Sequence, residues 1–516
     1  MFHYSFSPSP CLLLCLCCSV RASFAHITQE ILNVALAHTG QPSLDPWDNP
    51  HLDATWNILF NTASSLLQRW PNNMWSNGHS IVTATIPVGT AMYHGMWESN
   101  TTVPEKLEWL AFDFEYSYLY CEPICRMAKL LATRDLKVLY FDGMSAAKVR
   151  PLETGHQDAQ DLIAWGRIRR DKVLAEPERI ERLCAWGKKF GLDGFVRMQF
   201  AFEFMYCDLD GLYVVEVLDL LPHGNPTLKN HTALPPDGWK GTLTSGYQAF
   251  YQAFTAGGWH NYFPGESHVQ LDYSGFLSFY DPALESLVDA RRGKPRLQHR
   301  LLGISDEDIA AKMTELESIV LRHEVGSGAD WHQMFRIIIE RYADRLDTLN
   351  HTLLSSSYSN ATMLSSAVRL QLLTMLLPHL TIIDHPSRSE SPNNLTWLLP
   401  VVDRCSRTSI PEAHLTPQEG LLKNAVSHVL REICRRLALM WADAFDVEEA
   451  DESRTNTVVS SWRAHTTELM KWLNWSAWVK CRPGCRTDET CYISTWPFPF
   501  PEDSFENITP RCVVLR

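Results

Sequence analysis

The chain has 516 residues, 45% of them hydrophobic and 20% charged, and 59 Asp and Glu against 46 Lys and Arg give a formal net charge of -13. This composition excludes a disordered or collagen-like chain, and the acidic balance argues against a surface for phosphate backbones, so nucleic acid is not an expected partner. The length allows two or three domains with ample core.

The chain opens with an apolar stretch, Cys11 to Val20, followed by the small-x-small triplet Ser23-Phe24-Ala25. This reads as a signal peptide over residues 1–25 that leaves His26 first, although its n-region carries only His3 in place of Lys or Arg. Seven N-glycosylation acceptors follow, Asn100, Asn230, Asn350, Asn360, Asn394, Asn474 and Asn507, where chance would supply about two or three. Together they predict a secreted, extracellular, glycosylated protein with no transmembrane segment in the mature chain.

Residues 26–80 read as a helical segment. Leu52, Trp56, Leu59, Phe60, Ala63, Leu66, Leu67 and Trp70 recur at three- and four-residue steps, then Pro71-Asn72-Asn73 ends the run. From 81 to 285 an α+β domain with a mixed sheet is expected. Its strand candidates are Ile81 to Ile86, Ala91 to His94, Trp109 to Phe114, Lys137 to Phe141, Phe195 to Tyr206, Leu212 to Leu220 and Phe276 to Tyr280. Cys207-Asp208-Leu209-Asp210-Gly211 predicts a hairpin between the fifth and sixth of these. Residues 286–475 carry helical spacing over Asp306 to Arg322, Trp331 to Leu349, Met363 to Leu380 and Pro417 to Trp441. The last opens on Thr416-Pro417-Gln418-Glu419, a capping box with Pro at the first helical position.

Removing the leader leaves ten cysteines, Cys121, Cys125, Cys184, Cys207, Cys405, Cys434, Cys481, Cys485, Cys491 and Cys512. An even number in a secreted chain predicts disulfides, with connectivity left open, and residues 476–516 should be a short stapled tail. Cys481-x3-Cys485-x5-Cys491-x20-Cys512 lacks the paired two-residue knuckles of zinc sites, so no metal is expected.

Several common signatures do not occur. His323-Glu324 is followed by Val-Gly-Ser instead of a second zinc-binding His, and neither phosphate-cradling glycine pattern is found. Gly143-Met144-Ser145-Ala146-Ala147, after a strand, has the outline of a nucleophile elbow with Ser145 as nucleophile, with Ala where the last Gly is usual. Asp113 and Glu115, two apart on an expected strand, share one face and supply the paired acids of a glycoside hydrolase.

A strand ending Tyr93-His94-Gly95, then Trp109 to Tyr120 carrying Ser117, Tyr118 and Tyr120, then Leu136 to Phe141, resembles the start of the ADP-ribosyltransferase fold. The resemblance implies that His94 contacts a nicotinamide ribose, that Tyr118 or Tyr120 is the ring platform, and that Glu216 in Val214-Val215-Glu216-Val217-Leu218 stabilises the oxocarbenium ion. NAD would then be substrate, and no cofactor is otherwise expected. The Trp109 to Glu115 segment and the tail are also similar to uncharacterised secreted fungal proteins, a similarity that implies no activity. The leading expectation is a non-catalytic binding or structural glycoprotein. A NAD-cleaving transferase or glycohydrolase is the alternative, and a serine or glycoside hydrolase the second.

Overall fold

The computed structural model describes residues 55–69, 78–96, 102–121, 125–148, 156–199, 201–221, 249, 252–253, 268–322, 326–355, 360–384, 395–407, 414–446, 452–492 and 510–514. In chain order the main elements are α1 (Trp56–Ser64), β1 (Ser80–Ile86), β2 (Ala91–Met96), β3 (Glu108–Ala111), α2 (Phe114–Tyr118), β4 (Cys125–Ala132) and β5 (Leu136–Phe141). Then come α3 (Asp158–Trp165), α4 (Glu176–Gly187), β6 (Gly194–Met198), β7 (Phe202–Tyr206), β8 (Leu212–Leu220) and β9 (Gln270–Ser278). The helical half comprises α5 (Glu285–Arg291), α6 (Asp306–Leu321), α7 (Trp331–Leu354), α8 (Ala361–Leu376), α9 (Leu399–Ser406), α10 (Pro417–Asp446) and α11 (Glu452–Leu473), and a two-stranded tail of β10 (Glu489–Tyr492) and β11 (Arg511–Val514) closes the described chain. The expected class is what forms: an α+β region with a mixed sheet, a helical region and a short disulfide-rich tail.

The sheet has nine strands in the order β8-β4-β2-β3-β7-β6-β5-β1-β9. Only β5 and β6 run parallel, and the other pairings are antiparallel. Side chains alternate between the faces with period two, so the register assigns each residue a layer. Ile81, Leu139, Phe141, Phe195, Met205 and Leu277 point to one face, where they pack with Leu162, Leu183, Leu287 and Leu316 of α3, α4, α5 and α6. Val82, Val138, Tyr140, Val196, Phe204 and Phe276 point to the other, into one continuous core shared with Phe60 of α1, Phe335 of α7, Leu372 of α8, Val426 and Ile433 of α10 and Trp462 of α11. The β7-β6-β5-β1-β9 part of the sheet is therefore buried between two helical layers, while β8 at the other edge is largely exposed, and the described residues fall in one compact unit.

Burial on both faces explains the strand that pattern reading overlooks. Cys125–Ala132 buries residues from both faces and so shows no alternation of apolar and polar residues. Phe195 to Tyr206, read as one strand, is two: β6 and β7 turn back on each other, with Arg197 opposite Glu203. The expected hairpin across residues 207–211 does not form. Both edges of β7 are taken, by β3 and β6, and β8 crosses to the far end of the sheet to pair with β4. Asp210-Gly211 docks instead on the β4–β5 turn, where Thr133 N–H donates to the Gly211 carbonyl at 2.8 Å and Arg134 pairs with Asp210 at 3.0 Å. Gly211 sits at φ 84, where a side chain would be strained.

The capping box at α10 is realised: Glu419 N–H donates to Thr416 Oγ1 at 3.2 Å, and Thr416 N–H to Glu419 Oε2 at 2.9 Å. Ala361–His379 is long and apolar enough, with mean hydropathy 1.2, to cross a membrane by length and composition alone. Here it lies in the helical layer with Leu364, Val368, Leu372 and Met375 buried. All ten expected cysteines pair, as Cys121–Cys125, Cys184–Cys207, Cys405–Cys434, Cys481–Cys491 and Cys485–Cys512.

Candidate functional site

Strands β2 and β3 are joined at a single registered pair, Tyr93 with Ala111. Beside that junction His94 Nδ1 lies 2.9 Å from the Trp109 carbonyl oxygen, which can only accept, so that ring nitrogen carries a proton. A cavity of about 370 Å³ opens here, lined by His94, Trp109, Tyr116, Tyr120, Lys148, Glu176, Arg197, Gln199 and Glu203 among others. Its size lies within the usual range for small-molecule sites. Gly95 matters to its wall, because a Cβ there would run into the Ser117 carbonyl, so the bare backbone lets α2 close against β2.

The floor is a buried ion network. Arg197, 2% exposed, donates from Nε to Glu203 Oε1 at 2.6 Å, from Nη1 to Gln160 Oε1 at 3.1 Å and from Nη2 to Glu176 Oε2 at 2.5 Å. Glu176 also accepts from Gln157 Nε2 at 2.7 Å and Arg179 Nη1 at 3.0 Å, and Arg179 continues to Asp161 at 2.7 Å. Burial alone would raise the Glu176 carboxyl, but Arg197, Lys148 and Arg179 outweigh it and hold it at about 2. Burial likewise tends to deprotonate Arg197, and the two glutamates more than compensate. The guanidinium is a fixed charge with one acceptor on each of its three nitrogens.

Above this floor the groups are less tied. Glu203 Oε2 meets the Tyr116 hydroxyl at 3.4 Å, and the exposed Tyr120 passes its hydroxyl hydrogen to Tyr116 at 3.2 Å. Burial pushes the Tyr116 phenol well up, so it stays a neutral donor. Lys148 Nζ reaches only the Ala146 carbonyl at 3.4 Å and Glu176 at 3.6 Å, and burial lowers its pKa. The Trp109 indole nitrogen is buried without an acceptor among the described residues.

Residues 51–126 and 122–236 match the family described as the YPL277C N-terminal domain. Every cavity residue named above falls within that stretch. The chain is 24% identical to the uncharacterised protein YOR389W of Saccharomyces cerevisiae, over 90% of this chain and 87% of that one. It is 25% identical to the uncharacterised protein YPL277C of the same yeast, over 70% of this chain and 90% of that one. No solved structure matches. These relatives agree with the resemblance to uncharacterised fungal proteins, and they lend no support to the ADP-ribosyltransferase resemblance.

Of the residues that resemblance singled out, His94 and Tyr120 line the cavity and the others do not. Tyr118 turns away, stacking on Phe114 and donating to the Leu221 carbonyl. His94 is opposite Ala128, which is opposite Val217, so Glu216, paired with Lys129, points to the other face of the sheet. Glu216 lies 3.9 Å from Lys129 on the outer strands, and the three residues do not converge. Ser145 is buried, 1% exposed, with its hydroxyl on the Phe141 carbonyl at 3.0 Å, so it offers no nucleophile to a substrate. Asp113 and Glu115 are not paired on a strand, since Asp113 occupies the N-cap of α2 and Glu115 its first turn.

The residues that build the floor were missed. One signal was present: Arg197 and Glu203 are lone charges inside the apolar run Phe195 to Tyr206, and a charge in such a run needs a partner. Of the sequons, Asn350, Asn360 and Asn474 lie in described segments, while Asn100, Asn230, Asn394 and Asn507 lie outside them, as does the whole leader. Asn360 is exposed and caps α8 through Oδ1, 2.8 Å from Met363 N, which leaves Nδ2 for a glycan.

Proposed function

We propose that this is a secreted, N-glycosylated, non-catalytic binding protein that holds a small polar ligand in the cavity between β2, β3, α2 and the Arg197 network. The observation that carries the reading is the contrast inside the cavity: an ion network tied by short charge-assisted bonds from Arg197, beside Tyr120, Lys148 and the Oε2 atom of Glu203, whose own contacts are 3.2 Å or longer. Preorganised walls with a few spare polar groups are what recognition of a small molecule requires. The leader, the sequons and five disulfides support export.

The test has two arms. Expression through a secretory host should yield medium protein that begins at His26 and shifts in mass on endoglycosidase treatment. A fragment screen on that protein by saturation-transfer NMR should give hits that disappear in Tyr120→Ala, whose folding is checked by circular dichroism. Retention in the cell without glycans overturns the export reading, and hits indifferent to Tyr120 overturn the cavity reading.

A further inference from the structure

Building on the cavity reading, we infer that the ligand is a neutral sugar, a hexopyranoside bound through its hydroxyls and one apolar ring face. Charge decides first. The lining holds three acids, Glu108, Glu176 and Glu203, against two bases, Lys148 and Arg197. Arg197 is already committed to two carboxylates at 2.6 and 2.5 Å. An anion entering here would meet two glutamates with only Lys148 to offset them, itself 3.6 Å from Glu176. Bringing a like charge into a partly desolvated site is costly, so phosphates and carboxylates are disfavoured.

Hydrogen-bonding capacity decides next. A sugar hydroxyl is both donor and acceptor, and the cavity offers both complements close together. Glu203 Oε2 holds only a 3.4 Å contact from Tyr116 and can accept a shorter bond. Lys148 has three donors and only contacts of 3.4 and 3.6 Å. An exposed aromatic ring completes the set: Tyr120 is 54% exposed at the rim and braced edge-to-face on Tyr116 at 5.4 Å between centroids. The axial C–H groups of a pyranose form an apolar face that packs on such a ring, while its equatorial hydroxyls reach the polar groups below.

The experiment uses the full secreted chain, trimmed of its own N-glycans, with methyl glucopyranoside, methyl mannopyranoside, N-acetylglucosamine, glucuronate and inorganic phosphate as probes. Saturation-transfer NMR and tryptophan fluorescence report binding. At least one neutral sugar should bind, and glucuronate should bind roughly tenfold more weakly than its neutral counterpart. Glu203→Gln and Tyr120→Ala should each weaken the sugar roughly tenfold, the loss of one charge-assisted hydrogen bond or one stacking face. Tighter binding of glucuronate or phosphate, or sugar binding untouched by both variants, overturns the inference. If no sugar binds while Tyr120-dependent fragment hits persist, the sugar assignment fails and the cavity reading stands. If both are lost, both fail.

Discussion

Arg197 and Glu203 face each other across β6 and β7 as registered partners, and their side chains meet at 2.6 Å in the protein interior. The pair is half of a bridge, because the same guanidinium carries Glu176 of α4 at 2.5 Å, so one residue fastens the helical layer to the sheet. Removing it leaves two carboxylates buried beside each other. Arg197→Met should lower unfolding stability by roughly 3–5 kcal/mol, while Arg197→Met combined with Glu203→Leu should recover part of that loss, since the uncompensated charge is the main cost. Urea denaturation of the three proteins measures it, and equal loss in both variants would mean that the packing of Arg197, not its charge, holds the layers.

Gly95 makes a second prediction about the same region. The α2 backbone sits so close that a methyl group at 95 would overlap the Ser117 carbonyl and lie 3.3 Å from Cys121 Cβ. Gly95→Ala should therefore push α2 off the sheet, at a cost of roughly 1–3 kcal/mol. Tyr116 and Tyr120 move with that helix, so fragment or sugar binding should weaken more than stability alone explains. A variant of wild-type affinity would show that α2 does not shape the cavity.

The contrast between what could and could not be read from the sequence follows from range. The α10 cap was legible because Thr416 and Glu419 satisfy each other within one turn. Asp306–Leu321, Trp331–Leu354, Ala361–Leu376 and Pro417–Asp446 were legible from helix-spaced apolar residues, whereas Glu285–Arg291, Leu399–Ser406 and Glu452–Leu473 were not read as helices. The hairpin at 207–211 was misread because turn chemistry is local, whereas the occupancy of both β7 edges is decided by strands about 95 residues upstream and by β6. Glu216 and Glu203 look alike in sequence, each an acid among apolar residues, yet one ends on an outer strand beside Lys129 and the other beneath a cavity. Only the sheet order separates them.

The disulfides give a third prediction. Cys184–Cys207 ties α4 to the residue after β7 across 23 positions, and Cys405–Cys434 ties α9 to α10 across 29. Cys121–Cys125 closes only 4. In the chain-entropy account a longer closed loop restricts the unfolded ensemble more. Replacing Cys184 and Cys207 by Ser should cost roughly 2–4 kcal/mol, and replacing Cys121 and Cys125 measurably less. Peptide mapping without reductant checks the five pairs, and chemical denaturation of the two variants checks their order.

The last prediction concerns pH. Asp142, 2% exposed at the end of β5, accepts the Ser80 N–H at 2.6 Å. Burial pushes its carboxyl up to about 7, while the Ser80 and His79 backbone amides and Arg296 pull against that rise. In the unfolded chain the group titrates near the ordinary value for Asp, about 4. A folded pKa raised above the unfolded one means that its contribution is fully present below about pH 4 and is lost as pH rises through 7. Glu176 acts in the opposite direction: held at about 2, it contributes above pH 4.5 or so and loses that contribution as pH falls towards 2. The Asp142 contribution should therefore decline from pH 4 to 7, against the gain over the same range from His156, His299 and His379, which burial holds at about 3, 4 and 4. Asp142→Asn, which keeps an acceptor for Ser80 and cannot ionise, should remove that one contribution, so that the wild-type midpoint falls relative to the variant's between pH 4 and 7 while the Glu176 contribution is common to both. Urea midpoints taken across pH 3 to 8 for both proteins decide it: parallel profiles between 4 and 7 would show that Asp142 does not titrate there.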